Sequence, residues 1–371
     1  MNKKFIVMAA FAAVFGMSFT ACSNNDDDLA GAGAGQNQTP IEANALGFTA
    51  NVDGNAHVTR GIAGTSTNIA NFQVWGYDAS ENTLYMGTSA AVGRDVNKNG
   101  ETSAWEYAPT QYWPVNNLSF VAISPKDYSA VSANTTSSAA GVVSIASTVA
   151  IPTDVENQID LMYAGGDKVA KGDADGDVAL TFKHALSQIV FKGKLKGDGA
   201  VTKATVKQIS LINVKSAGVV NFTSEGNFPA IGSLATPVNY QLDAADLEAT
   251  EITSAEAINL TVSDNDTKKN AWFLLPQDLD GSGTLVKAGE TAPTDGKNYL
   301  KVIASMEKDG VEILGDAEAD AIYIPLDTNW ERSKKYIYTI EFNGESALTP
   351  ITFSVTAVEN WTDVNIDPLT M

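Results

Sequence analysis

Few side chains in this sequence are suited to catalysis. Its 371 residues contain one cysteine, Cys22, and two histidines, His57 and His184. Zinc sites and acid–base sites built on imidazole need several such side chains together, so both are close to excluded. We expect His184, which stands alone at the entry to a strand-like run, to be a hydrogen-bonded structural residue. No G-x-S-x-G, H-E-x-x-H or Walker sequence occurs, and we predict neither an enzyme nor a cofactor.

One stretch matches the spacing of a calcium-binding loop. Asp95, Asn97, Asn99 and Glu106 would supply its oxygen ligands. The pattern indicates no flanking helix, however, and the run Asn-Lys-Asn-Gly favours a tight turn. We therefore expect a turn between two strands here, with a weak calcium site as the alternative and no other metal site.

Cys22 follows a pattern typical of exported proteins. The cationic start Met1–Lys4 precedes an apolar run over residues 5–19, which is too short to cross a bilayer. Small residues then lead into Cys22, and the whole resembles a bacterial lipobox. Residues 1–21 would be the signal peptide, and Cys22 would carry acyl chains such as palmitate. An ordinary secretory signal with an unrelated cysteine is the alternative.

The charge balance excludes one class of partner. The chain has 44 Asp and Glu against 24 Lys and Arg, a formal net charge of −20. Nucleic-acid binding needs a basic face against the phosphates, so we predict no nucleic-acid partner. The chain is also long enough to bury a substantial core without disulfides or metals.

Apolar and polar residues alternate with period two from residue 44 onward. Leu46, Phe48, Ala50 and Val52 form one such series and predict a half-buried strand. Similar patterns predict strands over residues 72–77, 83–86, 118–123, 142–145, 179–182, 188–191, 206–214, 271–275, 300–306, 336–342 and 351–355. Asp243–Ile258, which is rich in Ala and Glu, is the one stretch that we expect to be helical. The prediction is an almost all-β protein with the turn spacing of β-sandwiches.

A polar, glycine-rich and charged stretch over residues 165–178 is typical of a connection between domains. It divides the chain into an N-terminal β-sandwich, 61–178, and a C-terminal β-sandwich, 179–371. Residues 22–60 would form a tether that ends in the first strand. The alternative is a long hairpin loop inside one domain.

Arg60 is one of only three arginines and lies in a polar stretch just after the first strand. An arginine-specific protease needs an extended, exposed segment with a basic residue, and this stretch offers one. Cleavage would fall between Arg60 and Gly61. The alternative is an ordinary surface arginine.

Several short patterns, taken in order, resemble the fimbrillin-like family of type V pilins. They are the lipobox Cys22, Thr59-Arg60 after a first strand, Gln111-Tyr-Trp-Pro114 leading into Leu118–Pro125, Leu180–Ile189, Trp330–Tyr338 and Val358–Trp361. Each is weak alone, but together they span nearly the whole chain.

The resemblance implies two transthyretin-like β-sandwich domains and export to the outer membrane as a surface-exposed lipoprotein. It further implies cleavage after Arg60, release of the strand Leu46–Val52, and filling of the vacated groove by a strand from another fimbrial subunit. The candidate donor in this chain is the tail with Val364 and Ile366. Because Pro368 interrupts that tail, we favour a tip or accessory subunit over a stalk subunit, in a fimbria that contributes to adhesion.

Two other functions are compatible with the sequence. A surface lipoprotein that binds glycans and never polymerises would use the same anchor, with some of the six tryptophans forming a sugar platform. A secreted hydrolase has the least support, since no convergent titratable residues are visible. For the tryptophans, core packing is the default expectation.

Overall fold

The alternation of apolar residues produces a fold made almost entirely of strands. The computed structural model describes residues 44–52, 69–128, 131–139, 142–171, 177–226, 237–261, 270–343 and 352–359. The first strands are β1 (Gly47–Val52), β2 (Asn71–Asp78), β3 (Leu84–Met86), β4 (Arg94–Lys98), β5 (Trp105–Glu106), β6 (Leu118–Ser124), β7 (Val131–Ala139), β8 (Val142–Ala150), β9 (Met162–Val169) and β10 (Asp177–His184). The later ones are β11 (Ser187–Leu195), β12 (Lys203–Lys215), β13 (Ala217–Thr223), β14 (Pro237–Asp243), β15 (Glu251–Ile252), β16 (Ile258–Asn259), β17 (Trp272–Leu274), β18 (Gln277–Asp278), β19 (Tyr299–Lys308), β20 (Val311–Leu314), β21 (Ile322–Pro325), β22 (Asn329–Trp330), β23 (Lys334–Phe342) and β24 (Thr352–Glu359).

The helical elements that lie wholly within the described residues are two short 3-10 turns, Val155–Asn157 and Glu318–Asp320. The all-β prediction is therefore confirmed. No helix in this part of the chain is long and apolar enough to span a membrane.

Within the described residues, the strands form five sheets. The largest has eight strands in the order β1-β10-β9-β6-β2-β4-β5, with β3 paired to β2. A five-stranded sheet runs β16-β11-β23-β24 with β17 on β11, and a six-stranded sheet runs β14-β12-β19-β20 with β15 on β12 and β21 on β19. The sheets β13-β8-β7 and β18-β22 complete the fold.

The eight-stranded sheet is buried on both faces at its centre, and β6 shows why. Every residue of this strand is buried, and alternate side chains enter two different hydrophobic clusters. Phe120 joins the cluster that contains β1, while Val121 joins a second cluster that also takes in β8, β12 and β23. A strand covered on both sides reads as a continuous apolar run, as Leu118–Ile123 does in the sequence.

The helix predicted over Asp243–Ile258 is wrong. The stretch contains the end of β14, a turn, β15 and the start of β16. Ile252 is fully buried and pairs with Ala204 on β12, so tertiary pairing overrides the favourable helix propensity of Ala and Glu.

The glycine-rich stretch 165–178 begins as a strand. Gly165 and Gly166 lie in β9 and pair with β6. Position 165 requires glycine, because a Cβ there would lie within 2.6 Å of backbone atoms of Thr223, Ser224 and Gly226. β9 and β10 are antiparallel neighbours in one sheet, the arrangement of the long-hairpin alternative. The boundary at 178/179 falls inside β10, and the division into two sandwiches stays a prediction.

Candidate functional site

β1 is an edge strand held by a single named neighbour. It runs parallel to β10, in a register that extends from Gly47 opposite Asp177 to Val52 opposite Phe182. The other edge of β1 pairs with no named strand among the described residues. An edge strand can leave without breaking a ladder on both sides, so β1 can be removed without splitting its sheet.

The segment just before β1 is held from a second direction. The Leu46 amide donates to the Gln111 carbonyl at 2.9 Å, and the Trp113 amide donates to the Asn44 carbonyl at 2.9 Å. Ala45 and Tyr112 form the antiparallel bridge between these bonds. The segment 111–113 thus acts as a short second ladder at the start of β1.

The inward side chains of β1, together with Leu46 just before it, enter the core. Leu46, Phe48 and Val52 are buried, and Ala50 is half-buried against the same cluster. The alternation predicted from the sequence is thus present in the structure.

The Phe48 ring is enclosed by three other rings. Its centroid lies 5.7 Å from Phe72, 5.7 Å from Tyr107 and 5.9 Å from Phe120, each in an edge-to-face arrangement. We call the surface that receives β1 the β1 slot: the β10 edge, these three rings and the backbone of residues 111–113.

Tyr107 joins the backbone and side-chain parts of the β1 slot. Its hydroxyl donates to the Leu46 carbonyl at 2.5 Å and accepts from the Gln111 amide at 3.3 Å. Burial raises the pKa of the Tyr107 phenol above its ordinary value, so the hydroxyl stays a donor at neutral pH. Nothing in the local sequence pattern singles out Tyr107.

Loss of β1 would leave an open groove. The facing strand β10 contributes buried Val178, Leu180 and Phe182, and its edge would lose its ladder. Each buried apolar side chain of β1 contributes about 1.5–3 kcal/mol through its burial. An emptied β1 slot would therefore expose these apolar side chains beside an unpaired strand edge.

Several predicted sites lie outside the described residues. They are the lipidation site Cys22, the cleavage site Arg60 and Gly61, and the donor candidates Val364 and Ile366. These remain predictions.

The calcium-loop candidate forms a hairpin turn between β4 and β5. Asn97 is the register partner of Glu106, and the Asn99 side chain donates to Glu106 at 2.8 Å while accepting from two turn amides. Asp95 instead accepts from Gln73 on β2. The expected turn is therefore present, with its polar groups hydrogen-bonded to one another. In the described residues no group of three or more His, Cys, Asp or Glu is placed to hold a metal ion.

His184 is a structural residue, as expected. Its buried ring lies with Nδ1 2.5 Å from Asp160 Oδ2, and its backbone carbonyl accepts from Ser333. The pair ties the end of β10 to the loop before β9 and the turn before β23.

Most of the described tryptophans are core residues. Trp75, Trp113, Trp272 and Trp330 are buried, and Trp105 is half-buried beside Phe72. A flat exposed row suited to a sugar is absent from the described part of the chain, which leaves the glycan-binding alternative without its platform there.

Comparison with one solved structure supports the fold, and a second match is weaker. A fimbrial protein from Bacteroides vulgatus matches with a TM-score of 0.58 and 16% identity, covering 85% of this chain and 99% of that one. A candidate cell adhesion protein from Bacteroides uniformis matches with a TM-score of 0.48 and 16% identity, over 85% and 99% of the two chains. No curated protein matches the chain.

The family model described as fimbrillin-like matches residues 59–361, well over half of the sequence. That span includes β2 through β24, and so every strand around the β1 slot except β1 itself. The chain belongs to the fimbrillin-like family.

Proposed function

We propose that this protein is a subunit of a cell-surface fimbria that assembles by strand exchange at the β1 slot and contributes to adhesion. The role is structural and not catalytic. Its precursor is a lipoprotein held in the outer membrane through Cys22. An arginine-specific protease cleaves after Arg60, β1 leaves, and a strand of a neighbouring subunit takes its place.

The position of β1 is the observation that carries this proposal. The strand has a single neighbour in its sheet, yet it buries Phe48 and Val52 in the core, with Leu46 just before it buried as well. β1 can be detached easily, but its empty groove would expose apolar side chains and an unpaired edge. Replacement by another strand is therefore favoured over simple loss. Exchange in one direction also builds an open fibre, since the groove and the incoming strand are different surfaces.

The other two arginines support cleavage at Arg60. Arg94 lies in β4 and donates from Nη1 to the Ala108 carbonyl at 2.9 Å. Arg332 lies over the Tyr163 ring, 5.8 Å from its centroid, and donates to the Tyr163 hydroxyl. Proteases cleave extended, accessible segments, so both folded arginines are poor substrates.

The N-terminus and intact mass of the protein recovered from the cell surface test the proposal. A chain that begins at Gly61 is expected in assembled fibres, and a lipidated chain that begins at Cys22 is expected in the precursor. An Arg60→Ala variant should accumulate as the precursor and be absent from the fibres. An Arg94→Lys variant should be processed normally. Fibres built from uncut chains would contradict the proposal.

A further inference from the structure

We propose that cleavage after Arg60 leaves β1 seated in the β1 slot, and that β1 then departs from its Val52 end, with residues 44–46 the last to detach. This inference rests on the function proposed above and describes how the same site is controlled.

Cleavage after Arg60 breaks none of the contacts that hold β1. Hydrolysis adds one water across the Arg60–Gly61 peptide bond and gives a carboxylate on Arg60 and an amine on Gly61. This bond comes eight residues after Val52, so the six register pairs with β10 and the buried Phe48 ring are left in place. The covalent link only raises the effective concentration of β1 at its slot, and its loss leaves the strand bound as a separate fragment.

The start of β1 is held by more than its ladder. The preceding residues 44–46 share two backbone hydrogen bonds with residues 111–113, and the Asn44 side chain donates to a carbonyl of that segment at 3.2 Å. The Tyr107 hydroxyl donates to the last carbonyl of residues 44–46 at 2.5 Å. The Lys171 ammonium, just after β9, donates to the Asn44 amide oxygen. Three groups outside β10 therefore hold this end.

The Val52 end has fewer restraints. Among the described residues, no hydrogen bond from outside the β10 ladder reaches residues 47–52. The inward side chain of Ala50 is small and only half-buried, and Val52 is 7% exposed against 2% for Leu46. Less apolar area and fewer bonds must be given up at this end, so it opens first.

The cleavage site lies on this weakly held side. Opening of residues 50–52 uncovers the edge of β10 near Phe182, where an incoming strand can pair. Each further pair displaces the next residue of β1 towards Leu46. The apolar floor of the slot is then never wholly exposed to water during exchange.

The order of segments in the sequence gives this arrangement a regulatory consequence. The predicted lipidation site Cys22 lies on the same side of the cut as β1. A cut subunit whose β1 is still seated is therefore still attached to the membrane, and only displacement of β1 frees it. Release is thus coupled to the arrival of a partner strand and does not follow from proteolysis alone.

The loss of the cut fragment tests the inference. The purified full chain is cut after Arg60 with an arginine-specific protease and followed by native mass spectrometry. The cut complex is expected to keep the mass of the uncut chain plus one water. A large excess of a synthetic peptide of residues 44–52 then displaces the fragment. The rate of this loss is compared for wild type, Leu46→Ala, Val52→Ala and the exposed-face control Thr49→Ala.

Val52→Ala should speed the loss at least about tenfold, because it weakens contacts that break before the slowest step. Leu46→Ala removes the larger buried side chain, yet it should change the rate by less than about threefold, because residues 44–46 still hold at that step. Thr49→Ala should stay within about twofold of wild type. A larger effect for Leu46→Ala than for Val52→Ala would overturn the direction of departure.

Hydrogen exchange in the cut wild-type complex gives the same decision without a variant that must fold. Residues 50–52 should exchange at least about tenfold faster than in the uncut chain, and residues 44–46 should change by less than about twofold. Equal acceleration at both ends, or loss of the fragment before peptide is added, would overturn the inference alone. A fragment that no excess of peptide displaces would overturn the proposed function as well.

Discussion

Phe48 is the side chain on which the β1 slot depends most. Phe48→Ala removes a ring that contacts three others, and we expect the free energy of unfolding to fall by about 3–5 kcal/mol. Urea denaturation measures this change. Thr49→Ala, on the exposed face of the same strand, should change stability by no more than about 0.5 kcal/mol. Equal effects for the two variants would place β1 outside the core.

Tyr107 provides a second, polar restraint on β1. Tyr107→Phe keeps the ring against Phe48 but removes the donor to the Leu46 carbonyl, which we expect to cost about 1 kcal/mol. Hydrogen exchange should become faster in residues 46–52 and remain unchanged in β19. Tyr112→Phe, at an exposed position, is the matched control. Unchanged exchange in residues 46–52 would show that the hydroxyl does not hold the strand.

These residues show which parts of the site a sequence can reveal. The series from Leu46 to Val52 was predictable because period two follows directly from strand geometry. Tyr107 was not, since its role depends on the Leu46 carbonyl, 61 residues away in the chain. Contacts between distant segments leave no local pattern.

At the scale of elements, the pairing of β1 with β10 can be tested with an engineered disulfide between the two strands. Thr49 and Ala179 are register partners, and both side chains are exposed. In a Cys22→Ser background, a Thr49→Cys, Ala179→Cys pair should form a disulfide across the parallel strands. After cleavage at Arg60, the oxidised protein is expected to retain the β1 fragment, and reductant should release it.

Intact mass under denaturing conditions, with and without reductant, provides the measurement. A Thr49→Cys variant alone is the control and should lose the fragment in both conditions. Failure of the pair to cross-link in the uncut chain would contradict the register.

The approach of β9 to the end of β13 gives another prediction. A Cβ on Gly165 would lie 2.5 Å from the Gly226 amide nitrogen, and backbone cannot yield as a flexible side chain can. We expect Gly165→Ala to destabilise the protein by about 1–3 kcal/mol in urea denaturation. Gly100→Ala, with no atom within 4 Å of the new Cβ, should be near neutral. Equal stability of the two variants would argue against this contact.

The same elements mark where sequence reasoning failed. Glycine and charge are common in linkers, so the pattern predicts a connection at Gly165 and Gly166, whereas in the structure the absence of a side chain allows close packing in a strand. The helix prediction for Asp243–Ile258 is wrong for a related reason, since pairing with β12 determines the conformation of that stretch. Composition describes a segment, but its neighbours determine its structure.

At the scale of the whole molecule, buried tyrosines make stability sensitive to alkali. Burial raises the pKa of Tyr299, Tyr336 and Tyr338 to about 12 each. An unfolded tyrosine titrates near 10, so the unfolded chain loses its protons first. The contribution of these tyrosines to the free energy of unfolding should be fully present below pH 10 and should be lost as pH rises from there toward 12.

Thermal unfolding between pH 8 and 11 measures this effect. Tyr336→Phe should make the unfolding temperature fall less steeply with pH above pH 10, whatever its effect on the unfolding temperature at lower pH. Tyr112→Phe should leave that steepness unchanged. An unfolding temperature that stays constant from pH 9 to 11 would contradict the prediction.

The parallel ladder between β1 and β10 also has a mechanical consequence. Its six register pairs lie side by side along the strand, and bonds to residues 111–113 add to them at one end. If a neighbouring subunit's strand takes this place, tension along the fibre pulls the strand lengthwise. The backbone hydrogen bonds of the ladder are then loaded together in shear and do not open one after another. A ring in the place of Phe48 must leave its pocket at the same time. A joint of this kind would resist flow at a surface far better than its equilibrium affinity suggests.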